Sequence, residues 1–204
     1  KPRVFLMDEP LSALDANLRD VLRVELKKLH SELGATFVFV THDQVEAMSM
    51  GDKIGVLNKG KLVQVGTPSE IYARPLNTFV ARSVGTPPMN LLDGVLHANS
   101  AVLDAGKFTL PLTDPRGSDG DRICFGIRPE DVVLDPDGPA IGKVFDIENH
   151  GVIKILTLDI DGTHLHATVS AQTKVQIDET LKFSWKPDKV LFFDPSNGRN
   201  MDLS

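Results

Sequence analysis

Two adjacent carboxylates, Asp8 and Glu9, follow the apolar run Val4-Phe5-Leu6-Met7. Such a run reads as a buried strand that delivers acid groups to the end of a sheet. Phosphoryl transfer needs that arrangement: one carboxylate orients a magnesium ion and another activates the attacking water. A strand that ends by chance in an acidic turn is the plainer account, since Asp and Pro are common in turns. A second run decides against it. Thr36-Phe37-Val38-Phe39-Val40 is again apolar, β-branched and aromatic, and Thr41-His42-Asp43 follows it with an imidazole.

These groups meet only if the chain between them folds in one way. Leu14, Leu18, Val21, Leu22, Leu29 and Leu33 recur at helical spacing, which places Arg19, Arg23, Lys27 and Lys28 largely on the wet side. Gly34 is the stop signal of that helix. Strand, helix and strand make a right-handed crossover between two parallel strands. Both strands then end on the same edge of the sheet, where Asp8, Glu9 and His42 converge. A lone histidine after a strand is more often a cap or a surface group; the acid pair on the same edge reverses that reading.

With these residues in view, the chain resembles the ATPase subunit of ABC transporters. Val4 to Glu9 matches the Walker B strand, and Ser12-Ala13-Leu14-Asp15 matches the D-loop. Thr41-His42-Asp43 with Gln44-Val45-Glu46-Ala47-Met48 matches the switch-histidine segment, and Lys53 to Gly66 the hairpin after it. The likeness continues through Gly66-Thr67-Pro68-Ser69-Glu70-Ile71-Tyr72 and Pro75 to Ala81, and on to Val84-Gly85-Thr86-Pro87-Pro88-Met89-Asn90. That last pattern narrows the likeness to maltose, multiple-sugar and glycerol-phosphate importers with a C-terminal regulatory domain.

The resemblance implies roles. Asp8 would orient Mg²⁺ through coordinated water, and Glu9 would polarise the attacking water as general base. His42 would contact the γ-phosphate of ATP. Ser12 and Asp15 would act across a head-to-tail nucleotide-sandwich dimer. The implied partners are a second ATPase subunit, the transporter's membrane subunits and a regulatory protein at the β domain. The implied location is the cytoplasmic face of the cell membrane.

No G-x-x-x-x-G-K-[ST] phosphate loop occurs in the chain, and neither does an L-S-G-G-Q signature. A phosphate loop supplies the N–H cradle and the lysine that hold a nucleotide. The expectation is therefore a C-terminal piece of an ABC ATPase that neither binds nor hydrolyses ATP alone. The alternative is a non-catalytic regulatory or scaffold piece built on the β domain.

Composition sets further bounds. Two hundred and four residues suit one or two domains. No apolar run approaches the ~20 residues of a membrane helix, and no secretory or transit pattern is legible. The single cysteine, Cys124, excludes an internal disulfide framework and lies in the apolar pattern Ile123-Cys124-Phe125, which reads as a buried thiol. Residues 1–84 hold 11 basic and 10 acidic side chains, whereas 85–204 hold 11 and 18. Nearly all the negative charge thus lies in the second half, the opposite of what a polyanion-binding domain needs.

The texture changes near Val84. Before it, helix and strand patterns alternate, with Thr67-Pro68-Ser69-Glu70 as a helix start and a second short helix after Asn77. After Asn90 come short strands: 94–96, 101–103, 108–110, 122–127, 140–147, 153–160, 164–169, 180–185 and 190–193. Regular short strands predict a barrel or sandwich. Gly126-Ile127-Arg128-Pro129-Glu130 resembles the regulatory-domain signature of the same importers, which implies a pair of OB-like (TOBE) barrels, the second from about Ala140 to Phe193. The fold class is thus a partial α/β ABC ATPase domain, residues 1–84, followed by an all-β OB-like regulatory domain, residues 85–204.

OB-like folds often bind single-stranded nucleic acid, through a basic groove and aromatic platforms. This half is acidic, and Phe108, Phe125, Phe145, Phe183, Trp185, Phe192 and Phe193 sit mostly in apolar strand patterns that suggest core. No nucleic-acid partner is expected. His164 and His166 are two apart and share a strand face, but no further metal ligands stand at useful spacing. The acidic stretch Asp114 to Asp121 lacks the ordered spacing of a calcium loop and reads as an exposed turn.

Overall fold

The computed structural model describes residues 2–106, 108–112 and 114–203. They form two compact units, residues 1–73 and 74–204. No helix among the described residues is long and apolar enough to cross a membrane.

The first unit opens with β1 (Val4–Asp8), α1 (Ala16–Leu33), β2 (Thr36–Val40) and α2 (Gln44–Met50). It continues with the hairpin β3 (Ile54–Asn58) and β4 (Lys61–Gly66), then α3 (Pro68–Ala73). β1 and β2 pair in parallel, with Val4 opposite Thr36 and Asp8 opposite Val40. The period of two puts Phe5, Met7, Phe37 and Phe39 on a half-buried face, while Val4, Leu6, Val38 and Val40 are exposed. The rings of Phe5 and Phe37 lie 4.8 Å apart, and His30 of α1 meets Phe37 edge-on at 5.1 Å.

Helix α1 starts because the Asp15 carboxylate accepts the N–H of Leu18. It stops at Gly34, whose φ of 58° is the left-handed conformation that glycine adopts without a steric cost. Its half-buried stripe is Arg19, Leu22, Arg23, Leu26 and His30, while Leu18, Val21, Leu29 and Leu33 are exposed. This corrects the expected wet side for Arg19 and Arg23. Apolar residues occur around most of this helix, so spacing alone does not choose the stripe. Arg19 lies inward against the half-buried Asp43, while Arg23 pairs with the exposed Asp20 on its own helix. The hairpin closes through Lys59-Gly60, both with positive φ, as two-residue turns require. Thr67 and Glu70 form a reciprocal capping box before α3, with Thr67 N–H and Oγ donating to Glu70 at 2.8 and 3.0 Å.

The second unit begins with α4 (Thr78–Ser83), capped by Asn77. Two five-stranded sheets follow. One joins β5 (Asn90–His97), β6 (Ser100–Leu103), β7 (Thr109–Pro111), β8 (Arg122–Ile127) and β14 (Leu191–Phe193), in the order β14-β8-β5-β6-β7. The other joins β9 (Val132–Leu134), β10 (Ala140–Asn149), β11 (Ile153–Ile160), β12 (Thr163–Ser170) and β13 (Thr180–Trp185), in the order β12-β11-β10-β13-β9.

The expected split at Ala140 is crossed in both directions. β9 precedes it yet pairs with β13, and β14 returns to pair with β8 of the first sheet. One apolar core therefore serves both sheets, with Leu103, Leu110, Phe125 and Ile127 from one and Leu156, Leu158, Leu165 and Phe183 from the other. Phe108, Phe183 and Trp185 cluster there, at centroid distances of 5.4 to 6.1 Å. Phe145 departs from the core reading. A bulge between Val144 and Asp146 turns it outward, where it is 60% exposed and stacks on His164.

Segment 74–84 packs with the β sheets. The buried Arg128 guanidinium donates to the carbonyls of Val84 (2.6 Å) and Ala81 (3.3 Å), and Asn200 donates to that of Pro75 (2.8 Å). The Ala81 and Val84 carbonyls are ones that the short α4 leaves without partners at its C-terminal end. Cys124 is buried, and burial, reinforced by Asp93, pushes its thiol up to about 12. His166 is half-buried with Nδ1 3.3 Å from the Thr157 hydroxyl. Asp114 to Asp121 forms the expected loop, closed by Ser118 N–H donating to Asp121 at 2.7 Å.

Candidate active site

The parallel register of β1 and β2 carries both chain directions to one edge. Asp8 lies opposite Val40, and the ladder extends one step beyond, with the Glu9 N–H donating to the Val40 carbonyl at 2.8 Å. Glu9 sits at φ 44°, a left-handed conformation that costs a residue with a Cβ about 1 kcal/mol or more. Its backbone is held from both sides, because the Glu9 carbonyl accepts from the Ser12 hydroxyl at 2.9 Å and from the Ser12 N–H at 3.2 Å. This conformation turns the chain sharply after Asp8. His42 Nδ1 then lies 3.3 Å from Glu9 Oε1, with both side chains open to solvent.

Ser12 and Asp15 each have a local function. Ser12 pins the Glu9 turn, and Asp15 caps α1 with a 3.0 Å bond from Leu18 N–H. The structure thus brings Glu9, Ser12 and His42 together, Ser12 bonded to the Glu9 carbonyl and His42 close to the Glu9 carboxylate, with Asp8 at the adjoining strand end. Asp15 sits at the neighbouring helix start.

Four polar residues complete the edge, and of these the periodicity reading misassigned Arg19 and overlooked Glu46. Thr41 and Asp43 flank His42. The Asp43 N–H donates to Thr41 Oγ1 at 3.0 Å, and the Thr41 hydroxyl donates to Glu46 Oε2 at 2.6 Å. Asp43 Oδ1 caps α2 by accepting from Val45 N–H at 2.7 Å, while its Oδ2 meets Arg19 Nη1 at 3.2 Å. Glu46 is only 3% exposed, with Arg19 Nε 3.8 Å from its other oxygen. Asp43-x-x-Glu46 has the capping-box pattern, a signal that would have drawn attention to Glu46.

The donor set suits magnesium held mainly by water and phosphate oxygens. Asp8 and Glu9 are adjacent, exposed carboxylates, and magnesium keeps several waters while taking one or two carboxylates. A caged ion would need more ligands, and no such cluster occurs among the described residues.

Residues 85–132 match the model of the MalK OB fold domain, and residues 125–193 match that of the TOBE domain. The trehalose/maltose import ATP-binding protein MalK of Thermococcus litoralis is 42% identical over 98% of this chain and 57% of its own length. The sn-glycerol-3-phosphate import ATP-binding protein UgpC of Jannaschia sp. is 43% identical over 98% of this chain and 57% of its own. The xylose/arabinose import ATP-binding protein XacK of Haloferax volcanii is 42% identical over 97% and 54%. The chain thus spans somewhat over half the length of these relatives. Over nearly its whole length the chain is similar to ABC importer ATP-binding proteins, and residues 85–193 carry an OB fold domain and a TOBE domain.

Proposed function

We propose that this chain supplies the catalytic edge and the regulatory β domain of the ATP-hydrolysing, energy-coupling subunit of an ABC importer for sugars or glycerol phosphate. The observation that carries this reading is the 3.3 Å approach of His42 to Glu9 at the ends of two paired parallel strands. The solute stays open within that class, because the relatives' names differ among trehalose/maltose, glycerol phosphate and xylose/arabinose.

In this reading Glu9 is the general base. Its carboxylate accepts a proton from the water whose oxygen attacks the γ-phosphorus, as the bond to the bridging oxygen of ADP breaks. His42 holds the carboxylate and the γ-phosphate in register, so that the water needs little reorganisation. The backbone strain at Glu9 serves that aim by fixing where the carboxylate points. Asp8 would hold magnesium, which, when bound, neutralises charge on the β- and γ-phosphates. Ser12 and Asp15 would present the Glu9 turn and the α1 start to a second ATPase subunit in a head-to-tail pair. Membrane subunits would convert closure and reopening of that pair into transport at the cytoplasmic face of the membrane. The β domain would add dimer contacts and a regulator site.

A second reading, a regulatory or scaffold piece without catalysis, is favoured by one feature: the sequence contains no phosphate loop. Isothermal titration of Mg·ATP into this chain, and into the full-length protein, separates the two. Saturable binding by the full-length protein, with hydrolysis lost in Glu9→Gln, supports the ATPase reading. A full-length protein that binds no nucleotide supports the scaffold.

A further inference from the structure

Helix α1 lies between the two chain segments that carry the candidate catalytic groups, and one side chain touches both. The Arg19 guanidinium donates through Nη2 to the Leu14 carbonyl at 3.2 Å, within the loop Ser12–Asp15. Through Nη1 it meets Asp43 Oδ2 at 3.2 Å, immediately after His42. Its Nε lies 3.8 Å from Glu46 Oε1, within ion-pair reach though too long for a hydrogen bond.

The acceptors are themselves fixed. Glu46 is nearly fully buried, and a buried carboxylate is costly unless a cation and donors compensate it. Its donor is the Thr41 hydroxyl, which also accepts from the Asp43 N–H, so the residues on both sides of His42 belong to one network. Without Arg19 the Glu46 carboxylate keeps the Thr41 hydroxyl but loses its cation. The planar guanidinium is suited to this place: its two terminal nitrogens bond acceptors on separate chain segments while Nε lies within ion-pair reach of Glu46, which a lysine ammonium on a flexible stem cannot reproduce.

We propose that Arg19 is a positioning residue: it ties the loop Ser12–Asp15 to the His42 segment, so that a movement of that loop repositions His42 against Glu9. This deepens the ATPase reading and rests on it. Arg19 touches no reacting atom in this account. It acts through the Leu14 carbonyl on one side and through Asp43 and Glu46 on the other. A second subunit pressing on Ser12–Asp15 would thereby be felt at His42.

The test compares Arg19→Gln, Arg19→Lys and Glu9→Gln in the full-length ATP-binding protein, with hydrogen exchange of Arg19→Gln in this 204-residue chain. Arg19→Gln should lower kcat about tenfold or more while KM for ATP stays within about twofold, since misplacement of a catalytic group costs rate rather than binding. Arg19→Lys should recover part of the loss. Amides at 43–47 should exchange about fivefold faster, while those of the β sheets stay unchanged. Unchanged kcat in Arg19→Gln with Glu9→Gln inactive overturns the brace and leaves the ATPase reading standing. Near-normal turnover in Glu9→Gln overturns the ATPase reading itself. Exchange rising throughout 4–66 would show that Arg19 merely holds the unit folded, and unchanged exchange at 43–47 would show that it holds nothing there; either result overturns the proposal.

Discussion

His42 Nδ1 stands 3.3 Å from Glu9 Oε1, and what joins them is the parallel register of two short strands. Neither side chain is buried, so the approach rests on the backbone at the strand ends. In the full-length protein, His42→Ala should therefore leave the fold and ATP affinity intact and cut hydrolysis about 10²-fold or more. Steady-state kinetics with a parallel binding titration checks this, and equal losses in affinity and rate would contradict it.

Arg128 is the buried post between α4 and the β sheets. Its guanidinium satisfies the Val84 and Ala81 carbonyls from a site that is 5% exposed. Arg128→Ala should destabilise the second unit by about 2–4 kcal/mol, because it strands buried carbonyls and leaves a void. Urea unfolding followed by Trp185 fluorescence reports it. A change under about 0.5 kcal/mol would show that water replaces the contact.

Protonation of His166 should weaken the β unit. Burial lowers its pKa from the ordinary 6.5, so the unfolded chain takes up this proton before the folded one does. Stability is then level above about 6.5 and falls as pH drops from 6.5 toward the depressed folded value. Urea midpoints measured from pH 7.5 to 5 should fall more steeply in the parent than in His166→Gln. Parallel slopes would rule His166 out as the source.

Cys124 should be inert. Its thiol is pushed up to about 12 and lies in the core beside Phe193 and Met89. Folded protein should react with a thiol reagent at least about 10²-fold more slowly than unfolded protein, since the thiolate is the nucleophile. Comparable rates would mean that the β14–β8 edge opens readily.

Much of the site was legible because strand ends announce themselves. Val4–Met7 and Thr36–Val40 are largely apolar runs that stop at polar residues, Asp8 and Thr41, and the intervening helix forces them parallel. The positive φ of Glu9 was not legible, because glutamate carries no sign of it; the pinning bonds come from Ser12. The inward turn of Arg19 was misread because the acids that neutralise it, Asp43 and Glu46, lie at the start of α2, far along the chain. Most β-domain strands announced themselves by alternation. β9 did not, since three residues show no period, and the outward Phe145 depends on a bulge that pairing alone reveals. The exchange of β9 and β14 between sheets follows from hydrogen-bond partners, which no local pattern encodes.

The most direct test of the central claim is single-turnover hydrolysis of Mg·ATP by Glu9→Gln in the full-length protein, beside a measurement of its ATP affinity. The amide cannot accept the water proton, so bound ATP should persist, with hydrolysis reduced by about 10²-fold or more and affinity unchanged. Bound ATP cleaved at a near-normal rate would contradict the assignment of Glu9 as the base, and with it the catalytic reading of this strand edge.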